Sequence, residues 1–297
     1  MSANQYRIGI DLGGTKIEAA VLDSQNQVLF RERIPTEAKF GPEHILNQIH
    51  LIYQQACEEI RNELHSLGLG TPGSISNKTG LLKNSNTTCL NGLPLQQLLE
   101  QKIGRSLIIE NDANCFALAE ATLGAGKGYE LVFGVILGTG CGGGIVIDGK
   151  IRKGSQHIAG EWGHMTIDPN GPICYCGKKG CVETLISGSG LEHQYLSLAK
   201  QKISAHEIFQ LSLDCNPIGK SLINKWHINL GRSLSNVINI LDPNIIVLGG
   251  GLSNDDSLYK EGIEQVRNFV FNDQLTTFIV KNKLGDSAGV LGATLLD

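Results

Sequence analysis

Two stretches about 125 residues apart run in the same order. IGIDLGGTKIEAAVLD (8–23) and VILGTGCGGGIVIDG (135–149) each read as apolar strand, Gly/Thr turn, apolar strand and Asp. A chain that repeats such a hairpin is expected to build two similar α/β domains facing each other. Successive backbone N–H groups in glycine turns also make anion cradles. Around the first hairpin we read strands at 6–12, 15–22 and 28–34, a helix from Pro42 to about His65, a strand at 66–70, a helix at 94–103, a strand at 107–110 and a helix at 111–123. The second begins with a strand at 131–137, a turn over Gly138–Gly144 and a return strand at 145–147 closed by Asp148-Gly149. A long amphipathic helix is expected over 218–241, stopped by Asp242-Pro243, followed by a strand at 244–248, a helix at 256–269, a strand at 278–280 and a closing helix at 287–296.

The 297 residues suffice for two domains with separate cores. The 37 glycines fall in clusters at strand ends, which suits close backbone approach to a ligand. A net charge of −4 and the absence of a basic run argue against a nucleic-acid surface. No apolar segment approaches the roughly 20 residues needed to span a bilayer, and no secretory signal precedes Tyr6, so the expected compartment is the cytoplasm.

Gly138-x-Gly140-x-x-Gly143 matches the dinucleotide fingerprint, but that fingerprint opens a helix and here a strand follows. A Walker A loop also fails: Gly144 with Gly149-Lys150 ends in Ile151, and Gly219-Lys220-Ser221 has Asp214 in place of the first glycine. What remains is a phosphate cradle made from the N–H groups of Gly13, Gly14 and Thr15 and those of Gly138 to Gly140, with Asp11 placed to hold Mg2+ through water.

The third feature is GEWGHMTIDPNGPICYCGKKGCVE (160–183). Three of the eight cysteines, Cys174, Cys176 and Cys181, fall within eight residues, and His164 lies ten positions upstream. That is the ligand set of a closed, structural Cys3His zinc site, with Gly177 and Gly180 allowing the turn. A disulfide between residues as near as Cys174 and Cys176 would be strained. Glu161 and Glu183 bracket the cluster, so ordering the loop would fix both carboxylates. The other cysteines read as small buried hydrophobes. Asp112, at the start of a helix, has a plain reading as a first-turn charge on the helix dipole.

GIDLGGTK (9–16), IENDAN (109–114), LGTGCGGG (137–144), GEWGH (160–164), CYCGKKGCVE (174–183) and VLGGGLS (247–253) together resemble the motif set of the ROK family of bacterial sugar kinases and repressors, over essentially the whole chain. The resemblance implies the two-domain actin-like ATPase (ribonuclease H-like) α/β fold with a central cleft and a structural zinc loop. The small N-terminal domain would span 1–115 plus the C-terminal helix 287–297, and the larger domain 116–286 with the zinc loop 160–183. Asp112 would be the catalytic base. Gly73, Asn86, Asn111, Asp112, Glu161, His164 and Glu183 would contact the sugar. Asp11, Gly13, Gly14, Thr15, Lys16, Gly138, Thr139, Gly140, Gly249, Gly250 and Gly251 would hold ATP and Mg2+. A zinc-bound His164 would keep its other ring N–H for the sugar.

Within the family, GTPGSIS (70–76), KNSNTTCLNGLP (83–94) and DPNIIVLGGGLSN (242–254) resemble the fructokinases, sometimes called manno(fructo)kinases, while ENDANCFAL (110–118) is shared with N-acetylglucosamine kinases. Fructose phosphorylation is therefore the first expectation and N-acetyl-D-glucosamine phosphorylation the alternative. A sugar-responsive repressor would carry an N-terminal helix-turn-helix ahead of the first strand, whereas this chain reaches its first strand at Tyr6. The family resemblance also implies a homodimer, with a hexose and ATP as small-molecule partners.

Overall fold

In chain order the elements are β1 (Tyr6–Leu12), β2 (Lys16–Asp23), β3 (Val28–Pro35), α1 (Pro42–Glu59), β4 (His65–Thr71), β5 (Ser74–Ile75), β6 (Leu82–Lys83), α2 (Leu95–Ile103), β7 (Ile108–Asn111), α3 (Asp112–Thr122), β8 (Leu131–Leu137), β9 (Cys141–Ile147), β10 (Lys150–Ile151), α4 (Val182–Ile186), α5 (Gly188–Ala199), α6 (Ala205–Leu213), α7 (Pro217–Leu241), β11 (Ile245–Gly249), α8 (Ile263–Phe269), β12 (Phe278–Lys281) and α9 (Ala288–Thr294). The computed structural model describes residues 5–296. Its contacts divide the chain into a first unit of Met1–Glu120, Ile151–Ala159 and Leu284–Asp297, and a second of Ala121–Lys150 and Gly160–Lys283.

In the first unit a five-stranded sheet has the order β3-β2-β1-β4-β7. β1, β2 and β3 are antiparallel, while β4 and β7 continue parallel from β1. Helix α1 starts on Pro42, whose missing N–H costs nothing there, and buries Ile45, Leu46, Ile49, Ile52, Tyr53, Ala56 and Cys57 in the core under the sheet. The helix stops at Glu59, short of the expected His65. Arg61 and Asn62 take left-handed backbone angles, with φ of 51° and 59°, and the Asn62 N–H closes onto the Cys57 carbonyl, which frees His65 to pair with Tyr6.

Helix α9 packs on β1 and β4 so closely that a Cβ on Gly9 would lie 2.4 Å from the Thr294 nitrogen, and one on Gly68 2.0 Å from the Ala293 oxygen. These strand glycines therefore serve helix packing, where the sequence suggested only ligand approach.

The second unit repeats the plan in the order β10-β9-β8-β11-β12, with β8 and β9 antiparallel and β11 and β12 parallel to β8. β9 begins at Cys141, so Gly142 to Gly144 are strand residues where a turn was expected. The reason is Trp162: its ring lies on the strand, a Cβ on Gly143 would come within 2.6 Å of its Cδ1, and its Nε1 donates to the Gly142 carbonyl at 2.8 Å. Asp148 and Gly149, with φ of 50° and 73°, form the hairpin turn before β10. Helix α7 is capped by Asn216, whose side-chain oxygen accepts from the Ile218 and Gly219 N–H groups, and ends at a left-handed Asp242. The expected helix over 256–269 forms, with a π-helical stretch at Leu258–Gly262 leading into α8. Among the described residues no helix is long and apolar enough to cross a membrane.

Candidate functional site

In the first unit β1 delivers Asp11 and the turn that follows it. Gly13 N–H donates to the Lys16 carbonyl at 2.9 Å, and Thr36 braces the turn from β3: its hydroxyl donates to the Gly13 carbonyl at 2.7 Å and its N–H to the Thr15 carbonyl at 2.9 Å. Gly14, Thr15 and Lys16 are exposed, and nothing lies within 4 Å of a Cβ built on Gly14. Burial, then the charges of Asp112 and Glu18, push the Asp11 carboxyl up to about 7, with Lys16 and Arg33 acting the other way. A Cβ on Gly289 would sit 2.7 Å from this carboxylate, so the approach of α9 also depends on glycine.

The end of β7 and the start of α3 hold Asn111 and Asp112. Asn111 Oδ1 accepts from the N–H groups of Ala113 and Asn114, which caps the helix, and its Nδ2 donates to the Gly73 carbonyl at 3.0 Å. Asp112 Oδ1 accepts from the Ala113 N–H at 2.8 Å. Gly73 has φ of 82°, and its missing Cβ leaves room for the Lys83 carbonyl, so Gly73, Asn111 and Asp112 are brought together. Asn86 is exposed on the loop after β6, whose frame is the reciprocal pair of bonds between Ser85 and Asn91.

In the second unit the Gly138-Thr139-Gly140 turn is tied to the start of α5. Gly188 N–H donates to the Gly138 carbonyl at 2.8 Å, and Ser189 donates to the Thr139 carbonyl through both its N–H and its hydroxyl. Glu183 Oε2 accepts the Cys141 N–H at 3.1 Å and would lie 2.7 Å from a Cβ on Gly140. After β11, Gly250 has φ of 84° and packs against the Leu137 backbone, whereas Gly251 is open. Glu161 is exposed and precedes the short turn Trp162–His164.

The ligand atoms of His164, Cys174, Cys176 and Cys181 all lie within 4.8 Å of one another. His164 Nδ1 is 3.6 Å from Cys174 Sγ, and Cys176 Sγ is 3.6 Å from Cys181 Sγ. Gly180, with φ of 61°, is pressed onto the Asp168 carbonyl and admits no side chain. Burial pushes the Cys181 thiol up to about 12, with hydrogen bonding to Cys176 and Cys174 adding to the rise. The other ring nitrogen, Nε2, faces the Tyr175 hydroxyl at 3.0 Å, so this tyrosine stands where the sequence reading placed a sugar hydroxyl. Tyr175 and Glu183 line a cavity of about 730 Å3 together with Ser187, His193 and Lys225.

Two further residues bear on the first unit and carried no motif signal that singled them out. Glu110 is buried behind Asn111, and Lys153 reaches it from the segment 151–159. Glu110 lies inside the ENDAN run, so its neighbours pointed to it; Lys153 had no such pointer.

The sequence profile of the ROK family matches residues 7–297. An N-acetyl-D-glucosamine kinase of Haemophilus influenzae (strain 86-028NP) is 39% identical over 299 residues, covering 97% of this chain and 98% of that protein. One from Histophilus somni (strain 129Pt) is 36% identical over 299 residues, covering 97% of each. Among solved structures, the ROK hexokinase of Thermus thermophilus superposes with a TM-score of 0.88 at 32% identity, covering 98% of this chain and 97% of that one. The ROK family glucokinase of Streptomyces griseus, in complex with glucose and AMPPNP, superposes with a TM-score of 0.77 at 27% identity, covering 97% of this chain and 98% of that one. With its two sheets of matching strand order and the α/β actin-like ATPase fold of these relatives, the chain belongs to the ROK family.

Proposed function

We infer that this protein transfers the γ-phosphoryl group of ATP to a hydroxyl of a hexose, and that the hexose is N-acetyl-D-glucosamine. The observation that carries the reaction is the Gly73–Asn111–Asp112 cluster at the head of α3, where the Asp112 carboxylate accepts the Ala113 N–H and the Asn111 amide ties Gly73 to the same strand-to-helix junction. The relatives named N-acetyl-D-glucosamine kinase move the substrate from fructose, the first expectation, to the alternative.

In this reading Asp112 accepts the proton of the attacking hydroxyl as its oxygen bonds to the γ-phosphorus and the bond to the β-bridging oxygen breaks, leaving ADP. Asn111 and Gly73 in the first unit, with Asn86, and Glu161, His164 and Glu183 in the second are assigned to sugar hydroxyls. Gly13, Gly14, Thr15 and Lys16, together with Gly138, Thr139 and Gly140, are assigned to the phosphates, and Gly249, Gly250 and Gly251 to the adenosine. Mg2+, held through Asp11, would neutralise phosphate charge.

The donor set fits zinc. Bonds of about 2.3 Å to sulfur and about 2.0 Å to nitrogen in a tetrahedron place ligand atoms roughly 3.5–3.8 Å apart, and the 3.6 Å between His164 Nδ1 and Cys174 Sγ and between Cys176 Sγ and Cys181 Sγ match that edge. Cys174, Cys176, Cys181 and His164 Nδ1 would hold it, and the ion would supply the charge that keeps three adjacent sulfurs deprotonated. With Nδ1 on the metal, Nε2 carries the proton, which faces the Tyr175 hydroxyl without sugar and would be donated to a sugar hydroxyl on binding.

A coupled ADP assay over N-acetyl-D-glucosamine, fructose, mannose and glucose tests the reading. The highest kcat/KM is expected with N-acetyl-D-glucosamine. A preference for fructose of about tenfold or more restores the first expectation, and no turnover of any sugar sinks the kinase.

A further inference from the structure

Glu110 is the last buried residue of β7 before the Asn111–Asp112 pair, and its carboxylate is engaged at both oxygens. Oε1 accepts the Asn111 N–H at 2.9 Å and Asn114 Nδ2 at 3.0 Å. Oε2 lies 2.9 Å from Lys153 Nζ. So one carboxylate grips the residue before Asp112 and the residue two after it. Lys153 belongs to 151–159, a segment that is grouped with the first unit although the residues on either side of it, up to Lys150 and from Gly160, belong to the second. The segment is docked by Asn77, whose Nδ2 donates to the Ser155 carbonyl at 3.5 Å, and folded by the Ala159 N–H donating to the Lys153 carbonyl at 3.2 Å. Glu161 follows two residues after the segment ends.

Stability alone is a weak reason for this pair. Lys153 is 43% exposed, and a half-solvated ion pair contributes little to folding. Geometry is the stronger reason. The Glu110 charge stands two residues from Asp112, and Asp11 adds a third carboxylate within electrostatic reach of Asp112. A buried carboxylate deprived of its cation would be driven to move or to take a proton. Either change disturbs the Asn111 N–H bond, and with it the Asn111 amide that holds Gly73 and caps α3.

We propose that the Lys153–Glu110 pair positions Asn111 and Asp112 for phosphoryl transfer, with Lys153 a positioning residue that touches neither substrate. The proposal rests on the sugar-kinase reading above. Its test is a double-mutant cycle on the full-length protein. In Lys153→Met, kcat is expected to fall about 10–100-fold, because misplacing a reactive group by about 1 Å costs that much, with sugar KM raised and ATP KM nearly unchanged. Lys153→Arg should restore most of the activity. Adding Glu110→Gln to Lys153→Met removes the orphaned charge and should recover about fivefold or more over the single variant.

A purely structural tie predicts a lower Tm with kcat and KM intact, and that outcome overturns the proposal. So does a double variant no better than Lys153→Met. If Lys153→Met does not fold, Lys153→Gln takes its place under the same two criteria. A wild-type protein that turns over no sugar removes the kinase reading and the positioning role together. An active wild type with an unaffected variant removes the positioning role alone.

Discussion

The two units use one strand order but brace their glycine turns differently. The turn after β1 is open: Gly14 has nothing within 4 Å of a notional Cβ, and besides its own Gly13–Lys16 bond it is held by Thr36, just past the neighbouring strand. The turn after β8 is enclosed: the start of α5 takes two of its carbonyls, and Glu183 presses on Gly140. The adjacent chemistry differs too. The open turn follows Asp11, whose carboxyl is pushed up to about 7 by burial and by Asp112. The enclosed turn meets a carboxylate two residues beyond the last cysteine of the Cys3His cluster. Under the proposed function this contrast is a division of labour, with proton transfer resting on the first unit and a metal-ordered frame on the second.

The largest effect is expected from Asp112→Asn, which keeps the shape and the bond to the Ala113 N–H while removing the proton acceptor. General-base catalysis typically contributes about 10^2 to 10^4-fold, so kcat should fall by at least the lower figure while sugar binding by calorimetry changes less than about tenfold. If Asp112 serves only the helix dipole, kcat stays within about threefold and the loss is about 0.3–1 kcal/mol of stability. That result would break the division of labour.

Cys181→Ser should act on stability and sugar binding rather than on the chemical step. Removing a buried ligand is expected to drop bound zinc from about one per chain to near zero and to lower Tm by about 5 °C or more, with sugar affinity falling alongside because the loop that leads into Glu183 loosens. Elemental analysis and a melting curve on one preparation decide it. Zinc-free wild-type protein with full activity would remove the metal from the frame.

Much of this frame is legible before any coordinates. The duplicated hairpins announce two similar sheets because paired apolar runs around a glycine turn survive in the chain as written, and the Cys3His spacing depends only on local turns at Gly177 and Gly180. What escapes is anything decided by a distant neighbour. Gly142 to Gly144 read as turn until Trp162 is seen lying on them, and α1 reads through to His65 until β1 claims that residue. Helices α5 and α6 fall in the stretch between the cysteine loop and α7, where no element was assigned. The return of 151–159 to the first unit has no local signature at all, so nothing in the sequence ties Lys153 to Glu110.

The turns themselves give a sharper pair of variants. Gly140→Ala places a methyl group 2.7 Å from Glu183 Oε2, so the carboxylate must release the Cys141 N–H, and kcat/KM is expected to fall about tenfold. Gly14→Ala meets nothing, and a compatible Gly to Ala change raises stability by about 0.4–1 kcal/mol through the unfolded chain. Its Tm should hold or rise slightly while ATP KM increases, if the open side is where phosphate approaches. Equal Tm losses in both variants would erase the contrast.

The smallest effect separates the units by pH. His65 in the first unit donates from Nδ1 to the Glu63 carbonyl at 2.7 Å, which leaves Nε2 as the acceptor facing the Arg105 guanidinium and the Tyr53 hydroxyl. Burial lowers its pKa most and the Arg105 charge lowers it further, against the raising effect of the Glu63 bond. In the second unit His227 is also lowered by burial, but Glu261 and Asp255 act to raise it. A histidine held below its ordinary value of about 6.5 binds fewer protons folded than unfolded, so stability is intact above about pH 6.5 and declines as pH falls below it. Both sites should therefore cost Tm on going from pH 7.5 to pH 5, and His65, beside a cation, should cost more than His227, beside acids. Differential scanning at the two pH values should show His65→Gln recovering roughly 2 °C of the acid loss and His227→Gln less. The reverse order would mean that the carboxylates near His227 weigh less than its burial, and that acid sensitivity lies in the second unit.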